Sequence, residues 1–291
     1  MALSAFLLWG LLPVYWKSLQ VVPPLELLCH RMVWSVPFTA LILTLQGRWG
    51  ETLHALRALR TVGLLLVSSA MICINWYLYI WAVTTGHVVE SSLGYFINPL
   101  VNVLLGVIFF RDRLNQLQCF AILLAIVGVG YSIVGYGSIP WLSLGLAFSF
   151  GFYGLVRKLV KIAALPGLFV ETLLLGIPAG IWLVRLYWQG QGAFLHVSPS
   201  VDLLLLCAGA VTSVPLMAFA GGARRLTLTT LGTLQYLAPT CAFLLGVFLY
   251  GEPFDTHKLV AFLFIWGGVA VYVADGIRSF SRIPRGPETA D

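Results

Sequence analysis

The chain has 291 residues, of which 59% are hydrophobic and only 10% charged, with a formal net charge of +6. An ordinary soluble domain is about a quarter charged, so this composition excludes one. The basic residues are scattered over short connections without interleaved aromatics, which excludes a nucleic-acid surface. Apolar runs of helix-spanning length recur throughout and do not alternate with period two. They predict an all-α, polytopic membrane protein and exclude a β-barrel.

In chain order, ten spans are expected, near 2–20, 25–45, 62–84, 91–110, 116–135, 140–157, 166–187, 201–220, 230–250 and 257–275. The first lacks a basic leader and carries Lys17, so it reads as a retained helix and not a signal peptide. Trp9, Pro13 and Trp16 line one side of it. In the second span, His30 and Trp34 are four apart and share a face. Arg31 lies seven residues beyond Pro24, well inside the apolar run. Lys17 and Arg31 together suggest a cationic vestibule that attracts anionic or amphoteric ligands. The alternatives are interfacial anchoring for Lys17 and a structural ion pair of Arg31 with Glu26 or Glu90. Asn75, Trp76 and Tyr79 form a polar-aromatic patch in the third span.

The fourth span carries Tyr95, Asn98 and Asn102, spaced to share one helical face. Polar groups at membrane depth are costly and so face protein or a wet cavity. Pro99 leaves the Tyr95 carbonyl without its usual donor. Glu90 at the helix start suits a cap on free N–H groups, with gating or proton coupling as the alternative. Tyr153 lies in span six. Glu171, a turn or two into span seven, could take a proton or organise a gate, or could pair with the Arg157–Lys161 segment. Gly176–Gly180 and Gly267–Gly268 are close-packing signals, within a chain or between copies, so a homo-oligomer is among the expected partners. Gln235 and Tyr236 belong to span nine, where Pro239 frees the Gln235 carbonyl. The five cysteines sit singly in apolar runs and read as packing residues. No metal or cofactor signature is evident. The polar tail, 277–291, is expected to be cytoplasmic and disordered.

The segment Ser92–Leu114 returns 140 residues later as Gly232–Phe254. Pro99 meets Pro239, Leu104–Val107 meets Leu244–Val247, and Asp112 meets Glu252. Ala121 meets Ala261 and Gly128 meets Gly268. Such a repeat divides the chain into units at 1–137 and 138–276. Five helices per unit is an odd number, so the second unit enters the membrane inverted. One set of connections holds Arg48, Arg57, Arg60, Arg111, Arg113, Arg157, Lys158, Lys161, Arg224, Arg225, Arg278, Arg282 and Arg285. The other holds Lys17, Arg31, Arg185 and Lys258. Thirteen against four places the first set, and both termini, in the cytoplasm.

These features resemble the EamA-type drug/metabolite transporter superfamily. Trp9-Gly10 with Lys17, His30-Arg31 with Trp34, and Gly94–Val107 are similar to the RarD family of bacterial inner-membrane proteins. The resemblance implies ten helices in two inverted repeats. It also implies transport of small metabolites or drugs, often as export, and a chloramphenicol-sensitivity name. On this reading Asn98, Asn102, Tyr95, Asn75, Tyr79, Arg31, His30, Trp34, Gln235, Tyr153, Trp9 and Lys17 are candidates for substrate contact. Glu90, Glu171, Pro99 and Pro239 are candidates for gating or coupling. The rivals are a membrane enzyme acting on a lipid-linked substrate, for which clustered acids or histidines are missing, and a passive channel.

Overall fold

A computed structural model describes residues 2–111, 113–223 and 234–281. Asp112, Arg224, Arg225, the first residues of the echoed segment and the tail arginines Arg282 and Arg285 lie outside the described residues. The described residues are helical without a strand. The helices are α1 Ala2–Ser18, α2 Pro24–Leu45, α3 Trp49–Arg57, α4 Leu59–Thr85, α5 Val88–Phe110 and α6 Gln116–Tyr136. They continue as α7 Trp141–Leu159, α8 Ala164–Trp188, α9 Pro199–Ala223, α10 Leu237–Leu244 with a π turn at Leu245–Leu249, and α11 Thr256–Ser281.

Among these, seven are long and apolar enough to cross a membrane. They are α2, α4, α5, α6, α8, α9 and α11. The other three expected spans coincide with α1, α7 and the short apolar stretch Leu237–Leu249. One helix, α3, falls where only a connection was expected. Its Trp49 ring packs edge-on against Phe169 of α8, 5.2 Å between centroids. Leu53 and Leu56 stay exposed on it, a pattern suited to lying along a membrane surface.

The bundle has apolar stripes outside and polar groups within. On α8 Ile177, Ile181, Val184 and Trp188 are exposed at helical spacing, while Ser35, Thr39, Ser68, Ser69, Asn75, Ser92 and Asn98 are buried. Water would reverse that pattern; lipid favours it. Buried hydroxyls bond their own helices, as Ser35 does to the Arg31 carbonyl at 2.6 Å and Thr39 to the Ser35 carbonyl at 2.7 Å.

Close backbone approach sets which helices meet. A Cβ on Gly128 of α6 would lie 2.9 Å from the Ala261 carbonyl of α11, and one on Gly268 of α11 would lie 2.7 Å from the Ala121 carbonyl of α6. Both contacts require glycine, and they are reciprocal. Gly176 of α8 packs on Val36 and Met32 of α2, and Gly180 on Val33. The glycine pairs flagged from sequence are thus used inside the chain.

The two faces differ. Toward one face Leu19, Val22 and Val88 are buried at the helix ends, each at 0–1% exposure. The opposite face carries the arginine-rich connections.

Candidate functional site

The proline-centred helices diverge. Despite Pro99, α5 is helical from Val88 to Phe110. The second copy is broken instead. A turn at Tyr236 precedes α10, so Pro239 falls in its first turn, where a missing N–H costs nothing. A π turn follows at Leu245–Leu249. Such turns often mark functional sites. Here it brings the Glu252 N–H to the Gly246 carbonyl at 2.9 Å and fixes Glu252 beside the start of α5.

Glu252, not Glu90, caps α5. Its two carboxylate oxygens accept from the Val88 and Val89 N–H groups at 2.7 and 2.8 Å. The cap comes from 164 residues away because Gly246 lets α10 approach the start of α5: a Cβ there would sit 2.8 Å from Val89. Glu90 lines a small polar cavity with His87, Glu252 and Lys258, and its backbone carbonyl accepts from Ser143 at 2.7 Å. Lys17 lies at the same face, 5.5 Å over the Tyr250 ring.

Arg31 is elsewhere, at 5% exposure inside the bundle. Its guanidinium lies 3.9 Å from the centroid of Trp76 on α4 and 5.4 Å from that of Trp16 on α1. Its Nε and Nη1 have no hydrogen-bond partner among the described residues. The expected ion pair with Glu26 or Glu90 does not form. Glu26 accepts the Ala193 N–H at 2.6 Å and sits 3.8 Å from His30 Nε2. The Trp34 indole N–H donates to His30 Nδ1 at 3.3 Å, and Phe194 packs on both rings. Arg31 thus faces Trp16 and Trp76, Lys17 faces Tyr250, and His30 and Trp34 cluster with Glu26.

Asn75 joins three helices. It donates to the Leu146 carbonyl at 3.0 Å and to Ser149 at 3.2 Å on α7, and accepts from the Tyr95 hydroxyl of α5 at 3.3 Å. Tyr79 meets Tyr95 edge-on, 5.7 Å between centroids. Arg31, Trp76, Tyr79, Tyr95 and Asn75 therefore form one polar-aromatic wall. Asn98 continues it along α5, buried to 2% with its Oδ1 unpartnered among the described residues. Asn102, a turn further, is exposed. Gln235 is half-buried, and Trp9 packs with Phe6 and Phe219.

A second centre lies toward the arginine-rich face. The buried Glu171 carboxylate accepts from Ser68 of α4 at 2.5 Å and from Tyr153 of α7 at 3.3 Å. Arg157 Nη1 lies 3.7 Å away. Gly167 leaves the space into which the Arg157 guanidinium folds. Ser68 and Trp76 are eight residues apart on α4, so this centre and the Arg31 wall are separated by about 12 Å along the helix.

Polar residues thus turn inward along tightly crossed helices. Residues 1–134 and 138–274 each match the EamA-like transporter family. The chain belongs to the EamA-like transporter family. Protein RarD of Escherichia coli K12 is 43% identical over 282 residues, covering 97% of this chain and 95% of that protein. A Vibrio cholerae protein named as an uncharacterized transporter is 43% identical over 279 residues, covering 96% and 92%. The chloramphenicol-sensitive protein RarD of Pseudomonas aeruginosa is 31% identical over 290 residues, covering 98% and 96%. A solved crystal structure shares the fold, with a TM-score of 0.60 at 19% identity and 96% coverage of both chains. As an EamA-family chain this is a multi-pass membrane transporter. Its sequence had hidden Glu252, whose only signal was its register with Asp112, and the partners of Glu171, which come from helices far away in sequence.

Proposed function

We propose that this chain is a secondary transporter that moves a small metabolite or drug outward across the bacterial inner membrane. Its ten spans form two inverted five-helix units, 1–137 and 138–276, with both termini in the cytoplasm. Substrate binds at mid-depth between the units, and the units rock to alternate access. The observation that carries this reading is the reciprocal contact of α6 and α11. Gly128 meets Ala261 while Gly268 meets Ala121, and each pair is related by the same 140-residue offset. A local two-fold axis accounts for that, and equivalence of the units makes two mirrored conformations nearly equal in energy.

In this reading the face of Val88 and Glu252 is the one that closes when the opposite side is open. Glu252 acts there as a latch between the units. The Ser68–Tyr153–Arg157 set around Glu171 serves as the movable contact on the arginine-rich side, from which an exporter loads. The anionic or amphoteric bias expected of the substrate rests on Arg31. The close-packing glycines α8 uses against α2 leave no independent support for a homo-oligomer.

The test is flux in proteoliposomes reconstituted with purified protein. Loaded solutes identified by a thermal-shift screen should exchange across the membrane, and Asn98→Ala should reduce that exchange about tenfold or more, as expected for loss of a buried polar contact. Exchange unchanged in both Asn98→Ala and Asn102→Ala would put the site elsewhere. Steady ionic conductance in place of saturable exchange would favour the channel.

A further inference from the structure

Arg31 is buried with two guanidinium nitrogens that lack a hydrogen-bond partner among the described residues. Removing a cation from water is costly, and the cost is recovered only when an anion and hydrogen bonds replace the water. The Trp76 and Trp16 faces recover a part through cation–π attraction. The nearby acids are engaged elsewhere: Glu26 holds the Ala193 N–H, and Glu171 holds Ser68, Tyr153 and Arg157. Tyr95, Tyr79 and Tyr15 bring phenols near the guanidinium. At neutral pH these are uncharged, so the wall carries one unopposed positive charge.

Resting on the transporter reading, we infer that Arg31 is the carboxylate-binding residue and that the transported molecule is a small organic monocarboxylate seated against Trp76, Trp16, Tyr79 and Tyr95. A planar guanidinium with free donors matches the two oxygens of a carboxylate. One charge fits because Arg31 is the cation that lies against the Trp76 and Trp16 rings among the described residues. A dianion in the same place would leave a negative charge without a partner among aromatic rings. An acidic lipid headgroup does not fit, because Arg31 is 5% exposed and faces the interior of the bundle. The aromatic faces accept the apolar remainder of the molecule, and an amino group on it would find a favourable site over the same rings.

Full-length protein in neutral phosphatidylcholine nanodiscs is melted with benzoate, 3-phenylpropionate, hexanoate and lactate. Each is set beside its uncharged amide, with terephthalate and sulfate as dianions. At least one monocarboxylate should raise the melting temperature saturably while its amide does not. That monocarboxylate should bind about thirtyfold or more weakly to Arg31→Gln, with partial retention in Arg31→Lys. Without ligand, Arg31→Gln should melt no lower than the parent, because it removes an unpaired buried charge. The inference is overturned if no monocarboxylate shifts the melt, if amides or dianions act as well, if the response survives in Arg31→Gln, or if ligand-free Arg31→Gln melts markedly lower. Counterflow in proteoliposomes separates the two levels. Carboxylate exchange equal in Arg31→Gln and the parent sinks the role of Arg31 and keeps the transporter. Carboxylate binding that depends on Arg31 without exchange of any solute keeps the site and sinks the transporter.

Discussion

Glu252 and Glu90 show how a residue's role depends on its neighbours. Both are acids near the start of α5, and Glu90 is the closer in sequence. A carboxylate within the first turn suits the helix dipole, but reaching two free N–H groups requires an approach from outside the helix axis, which Glu252 has. Glu252→Ala should lower thermal stability by roughly 1–2 kcal/mol, the usual worth of a cap. Glu90→Ala should cost well under that, and chemical denaturation of the two variants side by side tests the difference. At the other centre, Glu171→Ala leaves Arg157 without its carboxylate. Breaking such a buried pair costs roughly 3–5 kcal/mol. Glu171→Gln, which keeps oxygen for Ser68, should be milder, and the order of the two melts decides whether the hydroxyl bond or the charge holds α4, α7 and α8 together.

At the level of elements, spans were readable because lipid imposes length and apolarity on every crossing. Breaks were not. Pro99 and Pro239 each free a carbonyl by sequence, yet α5 stays continuous while α10 is interrupted at Tyr236 and again at its π turn. Proline removes one hydrogen bond in either setting; surrounding packing decides whether the chain bends or breaks. Contacts between elements follow from glycine. Gly268→Ala would drive a methyl to 2.7 Å from the Ala121 carbonyl, which backbone cannot easily yield, so a loss of roughly 1–3 kcal/mol is expected. Gly63→Ala, where no atom lies within 4 Å, should be neutral or slightly stabilising. Equal melts for the two variants would contradict the α6–α11 approach.

For the whole molecule, the reciprocal pairs Gly128–Ala261 and Gly268–Ala121 are the spatial counterpart of the sequence echo. The proposed orientation rests on the bias of the basic connections. A reporter active only in the cytoplasm, fused after Asp291, should therefore be active, and a periplasm-active reporter lighting up at the same point would reverse the topology. The α3 helix escaped the sequence reading because nine residues with both Leu and Arg are too short for a span and too polar for a core.

The sequence by itself determined that this is a helical membrane protein of the EamA-like transporter family, because hydropathy and motif residues are legible along the chain. It also marked Arg31, Asn75, Tyr95 and Asn98 as polar residues needing an explanation. Only the tertiary structure decided which of them share a wall, that Arg31 has aromatic rings and, among the described residues, no ion-paired acid beside it, and that Glu252 and Glu171 hold opposite ends of the bundle. Those facts depend on which distant helices lie against one another, and packing geometry, not local sequence, settles that.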